Sequence, residues 1–424
     1  MAAQQQAHIV VLGAGFGGLT FCRTFHHESA RVTLVDRTNH HLFQPLLYQV
    51  ATAGLSAPEI AQPIRGIIGR EPNIQVLLER VVSIDLKARQ VKLLDMVLTY
   101  DFLVLALGGG TSYFGHSEWE PFAPGLKTLE DAIRIRQKVL LSFEKAECTA
   151  DPAVCEKLMT IVVVGGGPTG VELAGAFAEL ARNVLKRDFR RIDPTKARVI
   201  LIEASPEVLS HLAPDLAASA TKQLTALGVQ VRVSTRVKAI TQGQVQLETG
   251  ETIAAENIIG AAGVSASPLT RQLGVELDRA GRIKVNPDLS VPGYPEVFAI
   301  GDLAAVMQAN GTLVPGVSPA AMQMGRHVAE IIREELMAPK RGEIARRPFH
   351  YWDKGTMATI GRKAAVAQIG GLKLTGFIAW LAWLFVHLIF LIGFRNKIAV
   401  LLQWAYSYFT YKRGARIITN LPES

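Results

Sequence analysis

His8-Ile-Val-Val-Leu-Gly-Ala-Gly-Phe-Gly-Gly18 and Thr160-Ile-Val-Val-Val-Gly-Gly-Gly-Pro-Thr-Gly170 are one pattern written twice in the same chain. Each opens on a run of β-branched residues without polar alternation, as expected of a strand buried on both faces of a parallel sheet. Each then breaks into glycines and resumes in a helical pattern. Strand, tight turn and helix in that order cradle phosphate groups, and the repeat predicts an α/β protein with two Rossmann-like dinucleotide-binding domains. The second copy lies deep inside the chain, so one nucleotide domain is inserted into the other.

Working outward, Arg31–Asp36 and Phe102–Ala106 read as further buried strands of the first sheet, and Thr128–Ala146 as a helix leading to the second. Ala197–Glu203, Val229–Val233 and Asn257–Gly260 supply the second sheet, and Val297–Asp302 returns to the first. The expected domains are 1–127 with 282–337, then 128–281, then a C-terminal segment 338–424. A charged, proline-containing stretch at Met337–Pro348 is the expected linker.

Within the first turn, Gly13 permits the bend, Gly15 lets backbone N–H groups approach a pyrophosphate, and Gly18 lets helix and strand pack closely. The helix start adds free N–H groups and about half a positive charge. Asp36 closes the next strand about 20 residues on, where a carboxylate accepts from a ribose hydroxyl. The second turn repeats the glycines as Gly165, Gly167 and Gly170. Its carboxylate, Glu203, lies farther off because Leu180–Lys196 is long and charged, and we read that segment as a lengthened helix and loop. Glu203 is either the second ribose acceptor, which would favour NADH over NADPH, or a residue that merely caps its strand.

Gly301-Asp302 adds a third element, an Asp at a strand end. Ser318-Pro319 downstream reads as N-cap and first residue of a helix running to about Glu335. The positive start of such a helix suits the negative charge of a reduced flavin. Two nucleotide turns plus this element point to FAD at the first turn and a nicotinamide at the second.

Bulk properties agree. The 424 residues are 49% hydrophobic and 19% charged with a net charge of +8, and the mean hydropathy is +0.22. Such a positive, apolar balance suits a protein on an anionic membrane surface better than a nucleic-acid binder, because no Lys/Arg block interleaved with aromatics appears on a polar helix. Three cysteines, Cys22, Cys148 and Cys155, form no CxxC or CxxxxC pair, which disfavours a disulfide relay and makes a reducing compartment the default. The Cys148/Cys155 pair flanks what reads as an idle loop. No basic-then-apolar leader precedes His8, and no triad or metal-ligand spacing is evident.

Leu374–Phe394 is apolar for 21 residues apart from Thr375 and His387. As one helix it would be about 31 Å long, enough to span a bilayer. Charge placement argues for a helix lying in one leaflet instead. Arg362, Lys363 and Lys373 precede it, and Arg395, Lys397, Lys412, Arg413 and Arg416 follow, whereas a spanning helix leaves its positive excess on one side. Trp380, Trp383, Trp404, Tyr406, Tyr408 and Tyr411 fit an interfacial belt, Ile398–Tyr411 a second surface helix, and His387 a buried or headgroup-facing residue rather than a ligand.

The stretch Val35-Asp-Arg-Thr-Asn-His-His-Leu-Phe-Gln-Pro-Leu-Leu-Tyr-Gln-Val-Ala-Thr52 closely resembles type II NADH:quinone oxidoreductases, single-subunit respiratory dehydrogenases that pump no protons. The likeness continues through Val162–Gly175, Val297–Leu303, Pro315–Gly325 and Lys354-Gly-Thr-Met-Ala358. It implies a glutathione-reductase-like pair of domains with C-terminal membrane-associating helices, FAD held non-covalently, NADH as substrate and a membrane quinone as acceptor. Gly13, Gly15, Gly18, Asp36 and Asp302 fall on FAD positions, with Arg37, Gln44, Gly108 and Gln323 as further contacts. Gly165, Gly167, Gly170, Glu172, Glu203 and Gly263 fall on NADH positions. The Gln44–Tyr48 loop is expected near the isoalloxazine ring.

Glu172 resembles a glutamate placed near the nicotinamide and is a catalytic candidate; its plain alternative is a carboxylate complementing a helix dipole. Gln323, Lys354 and Met357 match the quinone site, the first two also as catalytic candidates. The family's A-Q-x-A-x-Q run reads Ser318-Pro-Ala-Ala-Met-Gln323 here, so Pro319 removes one polar group from that wall. The resemblance implies monotopic attachment to the bilayer surface, on the cytoplasmic face of the cell (inner) membrane; a homodimer stays open. Two alternatives remain: a sulfide:quinone-type or other FAD-dependent pyridine nucleotide oxidoreductase, or an FAD/NADH redox sensor without turnover.

Overall fold

The computed structural model describes residues 6–69, 71–338, 344–410 and 414–418. Its principal helices are α1 (Phe16–Thr24), α2 (Leu129–Cys148), α3 (Pro168–Glu179), α4 (Pro214–Ala226), α5 (Ser318–Met337), α6 (Gly376–Phe390) and α7 (Phe394–Thr410). The chain forms two compact units. One comprises Met1–His41, Gln62–Gly110 and Val264–Lys354; the other comprises Leu42–Ala61, Thr111–Gly263 and Gly355–Ser424.

In the first unit a six-stranded sheet runs in the order Ser290–Val291, Tyr294–Ala299, Phe102–Leu105, Ala7–Leu12, Ala30–Asp36, Ile74–Leu78. All pairings are parallel except that of the Ser290–Val291 edge. Every residue of Ala7–Leu12 is buried, as a β-branched run covered on both faces requires. Helices α1 and α5 cross at two glycines: a Cβ on Gly325 would collide with the Gly17 carbonyl oxygen, so this contact tolerates no side chain. A three-stranded antiparallel meander, Val81–Asp85, Gln90–Leu93 and Val97–Thr99, completes the unit.

Two expectations shift here. Helix α5 is capped by Val317, in extended backbone, with no side-chain cap, so Ser318 is its first residue rather than its N-cap. Pro319 fits the first turn because the N–H it lacks would have no partner there. The expected linker is also partly pinned. Residues 339–343 lie outside the described residues, but Arg346 donates to Glu335 (2.5 Å), to Asp288 (2.9 Å) and to the Pro295 carbonyl (2.8 Å).

In the second unit a four-stranded parallel sheet is ordered Val229–Arg232, Arg198–Ile202, Thr160–Val164, Asn257–Gly260. Its meander, Val237–Thr241, Gln244–Leu247 and Thr252–Ala254, shares a core with the sheet through Val162, Ile200, Ile240 and Val245. The segment after α3 is the lengthened helix and loop expected of it: helical backbone continues past Glu179 as a single π turn (Leu180–Val184) and then gives way to a loop that reaches a 3-10 turn at Pro194–Lys196. Cys148 ends α2 and Cys155 sits on the short helix Pro152–Leu158, so the loop between them is only residues 149–151. All three thiols are free.

The C-terminal part of this unit is a three-stranded antiparallel sheet, Thr356–Gly361, Ala364–Ile369 and Leu372–Thr375, followed by α6 and α7. Ala379 of α6 packs on Ala365 and Ala367, and a Cβ on Gly175 of α3 would collide with the Ile360 carbonyl oxygen. The segment Leu42–Ala61 belongs here too. The Trp404 indole N–H donates to Gln49 (2.8 Å), the Asn396 amide to the Pro58 carbonyl (3.3 Å), and the Phe43 and His387 rings meet edge-on.

The apolar run Leu374–Phe394 does not form one helix. Helix α6 spans 15 residues, about 22 Å. It ends where Leu391 turns extended and Gly393 takes φ +89°, and α7 starts at Phe394. Among the described residues no helix is long and apolar enough to cross a membrane. Tyr411, Lys412 and Arg413 lie outside the described residues.

Breaking a buried ion pair from one side leaves an uncompensated charge and costs about 3–5 kcal/mol. Arg346→Leu strands the carboxylates of Glu335 and Asp288, which are 5% and 15% exposed. Chemical denaturation should report a loss of that size; a loss under about 1 kcal/mol would mean that water already serves those carboxylates.

Candidate functional site

The first glycine turn lies at the C-terminal end of the Ala7–Leu12 strand. Gly13 has φ +100°, a Cβ on Gly18 would collide with the Gly13 carbonyl oxygen, and nothing stands within 4 Å of where a Gly15 Cβ would be. The three glycines thus supply the bend, the close packing and the open approach expected of them. Asp36 reaches back from the adjacent strand, accepting from the Ala14 N–H at 2.6 Å and from both the N–H and hydroxyl of Thr38. His41, 3% exposed, donates from Nδ1 to the Ala14 carbonyl at 2.9 Å. Ala14 is therefore held at both its backbone groups, which fixes the orientation of the turn. Burial lowers the His41 pKa, so its ring is neutral, and Nδ1 carries the proton.

The second turn repeats this geometry with different residues. Gly165 has φ +116°, a Cβ on Gly170 would collide with the Gly165 carbonyl oxygen, and the space over Gly167 is open. Glu203, just past the Arg198–Ile202 strand, accepts from the Gly166 N–H at 2.5 Å and from the Ser205 N–H at 2.7 Å. The long insertion before Glu203 leaves this arrangement intact, because the strands beside each turn keep the same parallel register.

The remaining expected residues are placed as follows. Asp302 lies in a one-turn 3-10 helix, Gly301–Leu303, and the Gly301 N–H donates to the Met324 sulfur of α5 at 3.2 Å, so α5 is packed on that turn. Gly108 has φ +67° with open space at its Cβ position, and Arg37 is exposed next to Asp36. Gln323 and Lys354 come together around Trp352. The Gln323 amide both donates to the Trp352 carbonyl and accepts from its N–H, each at 3.0 Å, and the Lys354 ammonium stands 5.5 Å from the Trp352 ring centre. In the second unit, the Gln44 amide donates to the Lys127 carbonyl at 3.0 Å. Gly263 has φ +83°, and a Cβ there would press on the Phe114 ring. Met357 packs against the Ala365, Ala367 and Ala379 cluster.

Glu172, in the second turn of α3 and not the first, lines a pocket with Tyr48, Thr359, Trp383 and Trp404. Burial pushes its carboxyl up to about 8; the Thr359 N–H, donating at 3.4 Å, and the nearby Trp383 indole oppose this more weakly. A carboxyl of this kind carries a proton at neutral pH and can release or accept one near the physiological range. Trp383 is 1% exposed and so faces the protein interior and not an interfacial belt, while Trp404, half-buried, is held by Gln49. His387 stacks on Trp383 and donates to its carbonyl at 2.7 Å, and burial lowers its pKa to about 4. Sequence reasoning missed Trp383, Thr359 and His41 as site residues. A tryptophan four residues before a histidine on one apolar helix was the available signal for the first.

Residues 7–325 match the family model of the pyridine nucleotide-disulphide oxidoreductases, and residues 353–412 match that of the NDH2 C-terminal domain. The chain is 46% identical to the type II NADH:quinone oxidoreductase Ndh of Mycobacterium tuberculosis, over 97% of this chain and 90% of that one. NDH2 of Plasmodium falciparum, solved in complex with NADH, shares its fold with a TM-score of 0.88 at 18% identity, covering 98% of this chain and all of the other. The sulfide:quinone oxidoreductase of Aquifex aeolicus shares the fold with a TM-score of 0.71 at 20% identity, over 95% of each chain.

Glu172 also links protonation to stability. Its folded value, about 8, lies above its ordinary 4.5, so the native state keeps a proton that the unfolded chain loses between those pH values. Stability therefore falls as pH rises through that window. Glu172→Gln removes this penalty. The melting temperature of the variant should match that of the wild type below pH 4.5 and rise above it progressively up to about pH 8. A gap independent of pH would show that the carboxyl is ionised in the folded protein.

Proposed function

The chain belongs to the type II NADH:quinone oxidoreductase family, and on that premise we propose that it oxidises NADH through bound FAD and passes two electrons to a membrane quinone. The observation that carries this reading is the pair of glycine turns, each backed by a strand-end carboxylate, within one chain of that family. We assign FAD to the unit that carries the first glycine turn and NADH to the unit that carries the second.

The residues of the first turn fit FAD. Open backbone over Gly15 admits a pyrophosphate, the start of α1 offers free N–H groups, and Asp36 supplies an acceptor for a ribose hydroxyl. Gly108 and Asp302, with Arg37, are assigned to the same cofactor, and the start of α5 lends positive potential beside Asp302. When bound, FAD takes up hydride and delivers electrons one or two at a time, which the side chains of this protein cannot do. Gly167, Gly170 and Glu203 are assigned to orient NADH, and Gly263 to the same site. Glu203 disfavours a 2′-phosphate by charge repulsion. Glu172 holds a proton near neutral pH and is assigned a catalytic role. Gln323, Lys354 and Met357 are assigned to the quinone, with Gln323 set in position by its two bonds to Trp352.

Helices α6 and α7 are assigned to the bilayer surface on the cytoplasmic side, where NADH is supplied. Phe385, Phe394, Leu402 and Phe409 are all exposed on them, more apolar surface than a water-facing helix pair retains. Cysteine chemistry finds no support. Cys22 is fully buried, and burial pushes its thiol well above its ordinary value, far from a reactive thiolate.

Anaerobic mixing with NADH should bleach the flavin absorbance, and a soluble quinone analogue should restore it. Bleaching without reoxidation would favour a redox sensor, and no bleaching would remove the NADH assignment. Glu203→Ala should improve NADPH use relative to NADH by roughly 5- to 30-fold, since a charge repulsion of about one to two kcal/mol corresponds to that range. An unchanged ratio of kcat/KM values would take Glu203 out of the ribose site.

A further inference from the structure

The insertion that separates the second glycine turn from Glu203 is long and basic, and neither nucleotide site uses it. Residues 185–196 carry Lys186, Arg187, Arg190, Arg191 and Lys196 against Asp188 and Asp193. The loop is nonetheless built firmly. The Glu147 carboxylate accepts from the N–H groups of Arg190, Arg191 and Ile192 at 3.0–3.1 Å. The Phe189 ring stacks on Phe143, and Asp193 caps Thr195. All of these anchors are backbone, aromatic or acidic groups. The side chains of Lys186, Arg187, Arg190 and Arg191 are exposed and form no hydrogen bond or ion pair among the described residues.

The loop also stands beside the C-terminal helices. Val184, where it begins, lines the same pocket as Trp404, Ser407 and Tyr408 of α7. Arg416, beyond α7, is ion-paired with Asp188. Arg362 and Lys363, from the turn of the adjoining hairpin, stand 4.3 Å and 5.1 Å from the Tyr408 ring centre. Exposed apolar side chains crowd the same helix, with Phe409 80% and Phe394 79% in contact with solvent.

We propose that the Lys186–Arg191 loop is a headgroup-binding rim that selects anionic phospholipid beside the apolar α6–α7 pair. Counting Arg416 and Glu147, six cations face three carboxylates, so the rim is net positive by three charges. Such a surface is drawn to lipid phosphodiesters that carry net charge and is indifferent to zwitterionic ones. The apolar helices supply insertion, and the loop supplies lipid choice and fixes which way the unit faces the bilayer. This inference rests on the surface-bound reading of α6 and α7 given above.

The test is cosedimentation of the full-length, flavin-loaded protein with vesicles of phosphatidylcholine alone or mixed with phosphatidylglycerol. The wild type should bind both, the mixed vesicles at least tenfold more tightly, with the difference shrinking as salt is raised. The variant K186Q/R187Q/R190Q/R191Q should bind phosphatidylcholine as the wild type does and lose most of its preference for phosphatidylglycerol. Its turnover with a soluble quinone analogue should be unchanged. A variant that keeps the full preference overturns the proposal, as does a wild type that binds both vesicles equally, which leaves surface attachment standing. A wild type that binds neither removes both readings.

Discussion

Two backbone N–H groups, those of Ala14 and Gly166, each donate to a carboxylate from the neighbouring strand, at 2.6 Å and 2.5 Å. These bonds are charge-assisted and tie the tip of each glycine turn to the adjacent strand of its sheet. Each turn carries a glycine in left-handed backbone, which is entropically costly to order. Without the carboxylate the tip would be free to reorient. With it, the open face over Gly15 or Gly167 is fixed before any ligand arrives, and the rest of each unit holds these turns in place: sheet register, buried β-branched strands and the tight helix packing at Gly18 and Gly170.

The two copies show how much variation the arrangement tolerates. Aspartate serves one turn and the longer glutamate the other. The second accommodates an insertion that runs through a π turn and a charged loop before its strand begins. The first adds His41, which holds the Ala14 carbonyl so that the residue is bound on both sides. The same constraint is thus met with different parts, and only the strand–turn–helix frame is common.

That frame was legible in the sequence because its causes are local. β-branched runs, glycine spacing and a strand-end carboxylate are all readable within a few dozen residues; the expected strands fell within one position of their bounds except the return strand, expected at Val297–Asp302 and observed at Tyr294–Ala299. The start of α5 was displaced by one residue because serine before proline looks like a cap, whereas Val317 in extended backbone already does that work. The extent of the first C-terminal helix was misread for a different reason. Hydropathy registers the continuous apolar run 374–394 but not the break at Leu391–Gly393, which depends on one glycine and on packing against the hairpin. The pocket around Glu172 was least legible, because its walls come from Tyr48, Thr359, Trp383 and Trp404, far apart in the chain.

The bond between Gln49 and the Trp404 indole joins residues 355 positions apart. Together with Pro58 to Asn396, a separation of 338, it ties the Leu42–Ala61 segment to helices made far later. Closing so long a loop is slow and entropically unfavourable before its contacts form. During synthesis Phe43 and Gln49 leave the ribosome long before His387 and Trp404, so these contacts wait on the later helices. The contacts that hold the Leu42–Ala61 segment against α6 and α7 are therefore among the last that the second unit can form.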